Sequence, residues 1–192
     1  MKRRDFCKTT VSILLAWGIN PIIAYANTNN NKVLNGQLLI NNSLEKGSFN
    51  DLDNALIETQ NLKSIIKVNN DVFLIKPNSK LKFISNKIHE VFNGSFHGVF
   101  GKRENELIIK VPRGSIGIRG TAIYFEIDSK KKINSLCNCY GHTVVYKKNG
   151  KLLKSLINTK SDMHSAISIT GEEVETISKF KHDVVTKEFL NS

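Results

Sequence analysis

Short runs of alternating apolar and polar residues follow one another along the chain between about residues 33 and 169. In one run Leu81 and Phe83 share a face, while Lys80 and Lys82 share the opposite face. A period of two is typical of half-buried β-strands. The pattern predicts strands at residues 37–40, 64–68, 71–75, 80–83, 106–111, 121–127, 143–146 and 166–169.

Turn signals separate these strands and favour an antiparallel arrangement. Asn149-Gly150 lies between two strand patterns, and this dipeptide is typical of a two-residue β-hairpin. No stretch before residue 169 carries a sustained apolar stripe at helical spacing, so a parallel α/β sheet is not expected. The sequence predicts an all-β single domain with an antiparallel sandwich or jelly-roll-like fold. Asp183 predicts the cap of a short C-terminal helix that reaches Leu190.

The N-terminus has the features of an export signal. Residues 2–4 are basic, an apolar segment follows, and Ala24-Tyr25-Ala26 supplies the small residues that a signal peptidase reads. We therefore expect a signal peptide at residues 1–26, a folded domain at residues 27–192 and a periplasmic location of the Gram-negative type. Gly18 and Pro21 interrupt the apolar segment, so no stable membrane span is expected after removal of the leader.

The pair Arg3 and Arg4 also resembles the twin-arginine export signal. The sequence departs from that signal at Lys2, where Ser or Thr is favoured, and at Cys7, where Leu is favoured. A general secretory signal and an uncleaved anchor are the alternatives. The twin-arginine route is often used by proteins that receive a cofactor before export, which favours a bound metal.

Length and charge narrow the range of functions. Removal of the 26-residue leader leaves 166 of the 192 residues, which suits one domain with its own core. The formal net charge is +11, but the lysines are spread singly, so no nucleic-acid partner is expected. Three cysteines are too few for a disulfide scaffold. The chain contains no G-x-S-x-G, H-E-x-x-H or phosphate-loop motif, and we do not expect an enzyme.

The glycine-rich segment at residues 111–127 is the most informative motif. Gly114, Gly117 and Gly120 interrupt an apolar strand pattern, which indicates a β-bulge or a close backbone approach. The segment continues as a strand and not as a helix, so a nucleotide-binding loop is not indicated.

Within this segment Ile118-Arg119-Gly120-Thr121 resembles the signature of the FecR domain, and the similarity extends over most of residues 33–127. The resemblance implies an all-β, jelly-roll-like periplasmic domain, as in sensors that relay iron-uptake signals from the outer membrane to a sigma factor. Those sensors carry a cytoplasmic segment and a membrane span before the domain. Only residues 1–8 precede the apolar leader here, so direct sigma-factor regulation is not expected.

More similar to this chain are short exported FecR-domain proteins with a twin-arginine leader, a C-x-C-Y-G segment and histidines near the C-terminus. They imply a non-catalytic interaction, sensing or binding module whose partner is an envelope protein or a cell-wall component. Arg119 is the candidate binding residue, because its guanidinium pairs well with an anionic ligand or a partner's carboxylate. In the alternative interpretation, Arg119 bonds carbonyl groups at the glycine-rich bulge.

Cys137 and Cys139 carry candidate chemistry, in an extension that begins near residue 130. On a regular strand both thiols point to one face, and two thiolates supply half of a tetrahedral site for a transition metal such as zinc. His164 and His182, which match histidines of the resembling short proteins, complete the predicted ligand set. His142 is an odd number of residues from each cysteine and is expected on the opposite face.

Three interpretations of the cysteine pair stay open at this point: a metal site, a disulfide or thiol-redox pair, and an inert pair of small buried residues. His89 and His97 fall in the strand-rich part of the chain and are interpreted as ordinary surface or turn residues.

Overall fold

A computed structural model describes residues 31–50, 52–159 and 164–178, and in this part of the chain all regular structure is β-strand. The prediction of an all-β domain is confirmed. The signal peptide at residues 1–26 and the helix predicted from Asp183 lie outside the described residues. The strands are β1 (Lys32–Asn35), β2 (Leu38–Ile40), β3 (Ser43–Glu45), β4 (Ala55–Glu58), β5 (Ser64–Val68), β6 (Asp71–Ile75), β7 (Lys80–Ser85), β8 (Ile88–Val99), β9 (Leu107–Val111), β10 (Gly114–Asp128), β11 (Ile133–Tyr146), β12 (Leu152–Asn158), β13 (Ser165–Ile169) and β14 (Val174–Thr176).

Hydrogen bonds join these strands into one continuous sheet. The described pairings are antiparallel with one exception, where residues 88–90 of β8 run parallel to residues 108–110 of β9. The described part of the chain contains no helix long and apolar enough to cross a membrane.

Strand β8 passes from one half of the sheet to the other. Its first half pairs with β7 and β9, and its second half pairs with β6 and β10. Gly94 lies between the two halves with a φ of +88°, and a side chain at this position would collide with Ser79. The glycine therefore permits the change of direction that lets the sheet roll around one core.

The inner face of the rolled sheet is filled by one apolar cluster with members from β2 to β13. In β10, Ile116 and Ile118 face this cluster at even positions, whereas Ile123 faces it at an odd position. The parity changes at a bulge between Ile118 and Thr121, where Gly120 has a φ of +116°. The glycine-rich segment thus forms the bulge that its sequence predicts, and the bulge re-aims the rest of the strand.

The hairpin between β11 and β12 forms, but its turn is not the two-residue turn predicted. The N–H of Gly150 donates to the carbonyl of Lys147 at 2.9 Å, and the N–H of Lys147 donates to the carbonyl of Lys151 at 2.8 Å. Gly150 has a φ of +81°, but Asn149 does not have a positive φ. A two-residue type I′ turn needs positive φ at both central residues, so a longer turn that ends in a glycine bulge forms instead.

Candidate metal centre

Cys137 and Cys139 lie in β11 on the face of the sheet that is turned away from the main core. Asn138 and Tyr140 pair with consecutive residues of β10, so Cys139 is the extra residue of a second β-bulge. Both cysteines are buried, at 0% and 7% exposure, in a small apolar cluster. The other members of this cluster are Ala122, Tyr124 and Ala166, with Val99 and Ile177 packed against them.

His164 joins the two cysteines in one group. Its Nδ1 lies 3.4 Å from the Sγ of Cys137. One ligand atom from each of the three residues lies within 4.8 Å of the other two, so the group is able to hold a metal ion. His164 directly precedes β13 and is exposed, so it lies on the solvent side of the group. His182, the fourth predicted ligand, lies outside the described residues.

Asn138 holds the bulge from the core side. Its Oδ1 accepts hydrogen bonds from the hydroxyl groups of Thr121 at 2.9 Å and Thr143 at 3.0 Å. Its Nδ2 donates to the carbonyl groups of Gly141 at 3.1 Å and Leu156 at 3.2 Å. Because Asn138 is fully buried, these bonds fix the backbone on which both cysteines stand.

A chain of hydrogen bonds connects this backbone to His164. The Nδ2 of Asn158 donates to the carbonyl of Asn138 at 2.5 Å, and the hydroxyl of Ser165 donates to the Oδ1 of Asn158 at 2.9 Å. Ser165 is the neighbour of His164, so the histidine is tied to the peptide between the two cysteines. Metal sites depend on partners of this kind to orient their ligands.

A second histidine approaches the cysteines from β8. The interpretation of His97 as a surface or turn residue is wrong, because its side chain is buried at 4% exposure. Its Nε2 lies 3.9 Å from the Sγ of Cys139. No local pattern singles out His97, since its position beside the cysteines depends on the pairing of β8 with β10.

His89 is also buried, so its interpretation as a surface or turn residue is wrong as well. Its ring centroid lies 4.1 Å from that of Phe83 and 6.1 Å from that of Phe73. Burial lowers the pKa of His89 to about 4.

His89 lines a cleft of about 400 Å³ together with Asp71 and Arg103. The Nη2 of Arg103 lies 2.5 and 2.6 Å from the two carboxylate oxygens of Asp71.

The two cysteines affect each other's ionisation. A hydrogen bond with Cys139, burial and the charge of the Cys139 thiolate together raise the pKa of Cys137 above its usual range. Redox thiols depend on a depressed pKa, so this environment disfavours the thiol-redox interpretation. The structure has no disulfide bond between the two cysteines. A divalent cation reverses the balance, because its charge stabilises two adjacent thiolates.

The other candidate residues have different partners. The Nε of the exposed Arg119 lies 3.6 Å from the Oε1 of Glu106, whose Oε2 accepts a hydrogen bond from the hydroxyl of Tyr146 at 2.9 Å. The structure therefore gives Arg119 a carboxylate partner within the chain. His142 shares a hydrogen bond of 2.9 Å with the hydroxyl of Ser155 and is not in the group formed with the cysteines.

Comparison of the chain with models of known protein families and with curated proteins finds no match. Among solved structures, two crystal structures of a candidate anti-sigma factor from Parabacteroides distasonis ATCC 8503 are similar, each with a TM-score of 0.52 and 10% sequence identity. The alignments cover 70% of this chain and 64% and 63% of those chains, so this chain spans less than two thirds of their length. At this identity the likeness shows a shared fold.

Proposed function

We propose that this chain is an exported, non-catalytic sensing or binding module of the FecR type that works in the periplasm. The observation that carries this proposal is the rolled all-β sheet, a fold shared with the candidate anti-sigma factor. The bulge at Gly120 supports it, because this bulge falls within the segment that resembles the FecR signature. The export-type leader agrees with the proposed location.

The surface best suited to a partner lies along β12. Among the described strands β12 pairs with β11 alone, so its other edge presents unpaired backbone groups. Ile157 on this strand is 65% exposed, and Leu152 and Tyr140 are also exposed large side chains. An apolar strand edge is the feature that an extended peptide segment recognises when it adds a strand to a sheet. The partner we propose is such a segment of an envelope protein.

Photo-crosslinking in intact cells tests this proposal. A photoreactive residue in place of Ile157 should give a crosslink to one envelope protein, while the same residue in place of the exposed Lys87 serves as the control. Ile157→Lys should abolish copurification of the crosslinked protein, because a charge at this position opposes docking of an apolar segment. Identical products at positions 157 and 87 would contradict the proposed surface.

A second function is favoured by one specific observation, the convergence of Cys137, Cys139 and His164. We propose that this group binds a transition metal, with zinc as the best match to two thiolates and an imidazole. The bound metal would then be part of what the module senses or of what stabilises it.

Cobalt titration tests this second function. The full chain with Cys7→Ser retains two cysteines, so its thiolate-to-cobalt absorption reports on Cys137 and Cys139 alone. We expect the absorption to saturate at one metal ion per chain and to disappear in both Cys137→Ser and Cys139→Ser. If the two thiols react with a thiol reagent equally fast with and without metal, the metal-binding function is contradicted.

A further inference from the structure

We propose that His97 is the fourth protein ligand of this metal centre, which makes the ligand set Cys137, Cys139, His164 and His97. This inference rests on the metal-binding function proposed above. In this assignment His97 replaces His182, the fourth ligand that the sequence analysis predicts. His97 lies 40 residues before Cys137, in a different part of the sheet.

The sheet places His97 on the same face as the cysteines. His97 of β8 pairs with Tyr124 of β10, and Tyr124 pairs with Cys137 of β11. Directly opposed residues point their side chains to the same face, so these three residues form one row across three strands. Ala122, two residues from Tyr124 in β10, belongs to the same cluster as Cys139, and the Nε2 of His97 lies 3.9 Å from the Sγ of that cysteine.

Two sulfur–nitrogen separations are close to those expected around a tetrahedral ion. With metal–sulfur bonds of about 2.3 Å and metal–nitrogen bonds of about 2.0–2.1 Å, tetrahedral angles place sulfur and nitrogen about 3.6 Å apart. The observed separations are 3.4 Å between Cys137 and His164 and 3.9 Å between Cys139 and His97. Each cysteine therefore has its own histidine. His97 lies outside the group of three residues whose ligand atoms are all within 4.8 Å of one another, so the side chains would have to move closer together before all four share one ion.

Four protein ligands define the kind of site. A catalytic zinc ion keeps one position open for water, whereas a closed site with two cysteines and two histidines is structural or sensory. The ligands come from β8, from β11 and from the residue before β13, so the ion would tie together strands that are distant in sequence. Binding would thus stabilise the folded sheet, and the gain would depend on metal concentration.

Zinc affinity of single variants tests the assignment. In the full chain with Cys7→Ser, competition with a chromogenic chelator should show zinc binding that is weakened at least about tenfold in His97→Gln. His182→Gln and the control His142→Gln should bind zinc as the parent does. Circular dichroism and urea unfolding of the metal-free variants would show whether His97→Gln keeps its fold, and X-ray absorption of the zinc-loaded parent should show two sulfur and two nitrogen ligands.

The outcomes separate the two proposals. If the parent chain binds no zinc or cobalt, the metal-binding function fails and the assignment of His97 fails with it. If the parent binds zinc and His97→Gln binds it equally well, the assignment is wrong while the metal-binding function stands. Loss of binding in His182→Gln together with normal binding in His97→Gln would identify His182 as the fourth ligand.

Discussion

Asn138 serves the core and the candidate centre at once, because its side chain points inward while its peptide carries the two cysteines. We expect Asn138→Leu to lower the free energy of unfolding by about 1–3 kcal/mol, since the buried hydroxyl of Thr143 loses its acceptor and the carbonyl groups of Gly141 and Leu156 lose their donor. Urea unfolding followed by circular dichroism measures this loss.

Asn134 in the same strand provides a matched control. It is buried like Asn138, but its Nδ2 has no hydrogen-bond partner among the described residues. Asn134→Leu should therefore be close to neutral or stabilising, because an apolar group replaces a buried polar atom that forms no bond. Equal losses in the two variants would show that the bonds of Asn138 contribute nothing specific.

His89 gives the protein a dependence on pH. Its pKa is about 4 in the folded chain against an ordinary value of 6.5, so the unfolded chain binds the proton more readily between these values. The free energy of unfolding therefore has its full value, as far as His89 is concerned, above about pH 6.5. It falls by about 3 kcal/mol in total as the pH is lowered towards 4.

Urea unfolding at several pH values between 7 and 4 measures this dependence. His89→Phe should show a flatter profile over the range, because phenylalanine fits beside Phe73 and Phe83 and does not titrate. The nearby Arg103 also lowers the pKa of His89, so Arg103→Gln should make the profile slightly less steep. Parallel profiles for the parent and His89→Phe would contradict the role of His89.

At the scale of the strand, the bulge in β10 depends on Gly120. An added Cβ at this position would lie 2.9 Å from the Cα of Lys102, and the φ of +116° is strained for any other residue. Gly120→Val should lower the free energy of unfolding by roughly 1–3 kcal/mol. In the control Gly47→Val the added Cβ would meet no atom within 4 Å, so a much smaller loss is expected. A fully stable Gly120→Val protein would show that the bulge tolerates a side chain.

The strands that the sequence predicts best are those with one environment along their length. The bounds of β5 and β6 match the prediction, because both strands contain dense apolar residues and are separated by a clear turn. The sequence pattern predicts no strand at β8 and only residues 143–146 of β11. Each of these strands passes through two environments, and the bulge at Cys139 and the glycine at position 94 break the period of two on which the prediction depends.

The candidate centre was predictable to the extent that it is local. The spacing of Cys137 and Cys139 indicates a shared face, and resemblance to short exported proteins adds His164. His97 could not be found in this way, because it stands 42 residues before Cys139 and meets it only through the register of β8, β10 and β11. Long-range register is not encoded in any short pattern of residues.

At the scale of the whole molecule, the export route stays a prediction. Replacing Arg3 and Arg4 together by lysine should leave the precursor in the cytoplasm, because the twin-arginine route reads this pair. Cell fractionation measures the result, N-terminal sequencing should show a mature chain that begins at Asn27, and Lys2→Arg serves as a control that keeps the pair. Normal export of the double variant would exclude the twin-arginine route and leave the general secretory route.

The long separation between His97 and Cys139 also determines when during folding a metal ion could act. Bringing His97 and Cys139 together closes a long loop, and this closure has an entropic cost. The centre therefore forms only after β8, β10 and β11 have paired. An ion held by all of its ligands would therefore leave the refolding rate nearly unchanged and would slow unfolding, because contacts that are absent from the transition state act on the unfolding rate. The lifetime of the folded chain, more than the speed with which it is reached, would then follow the supply of metal.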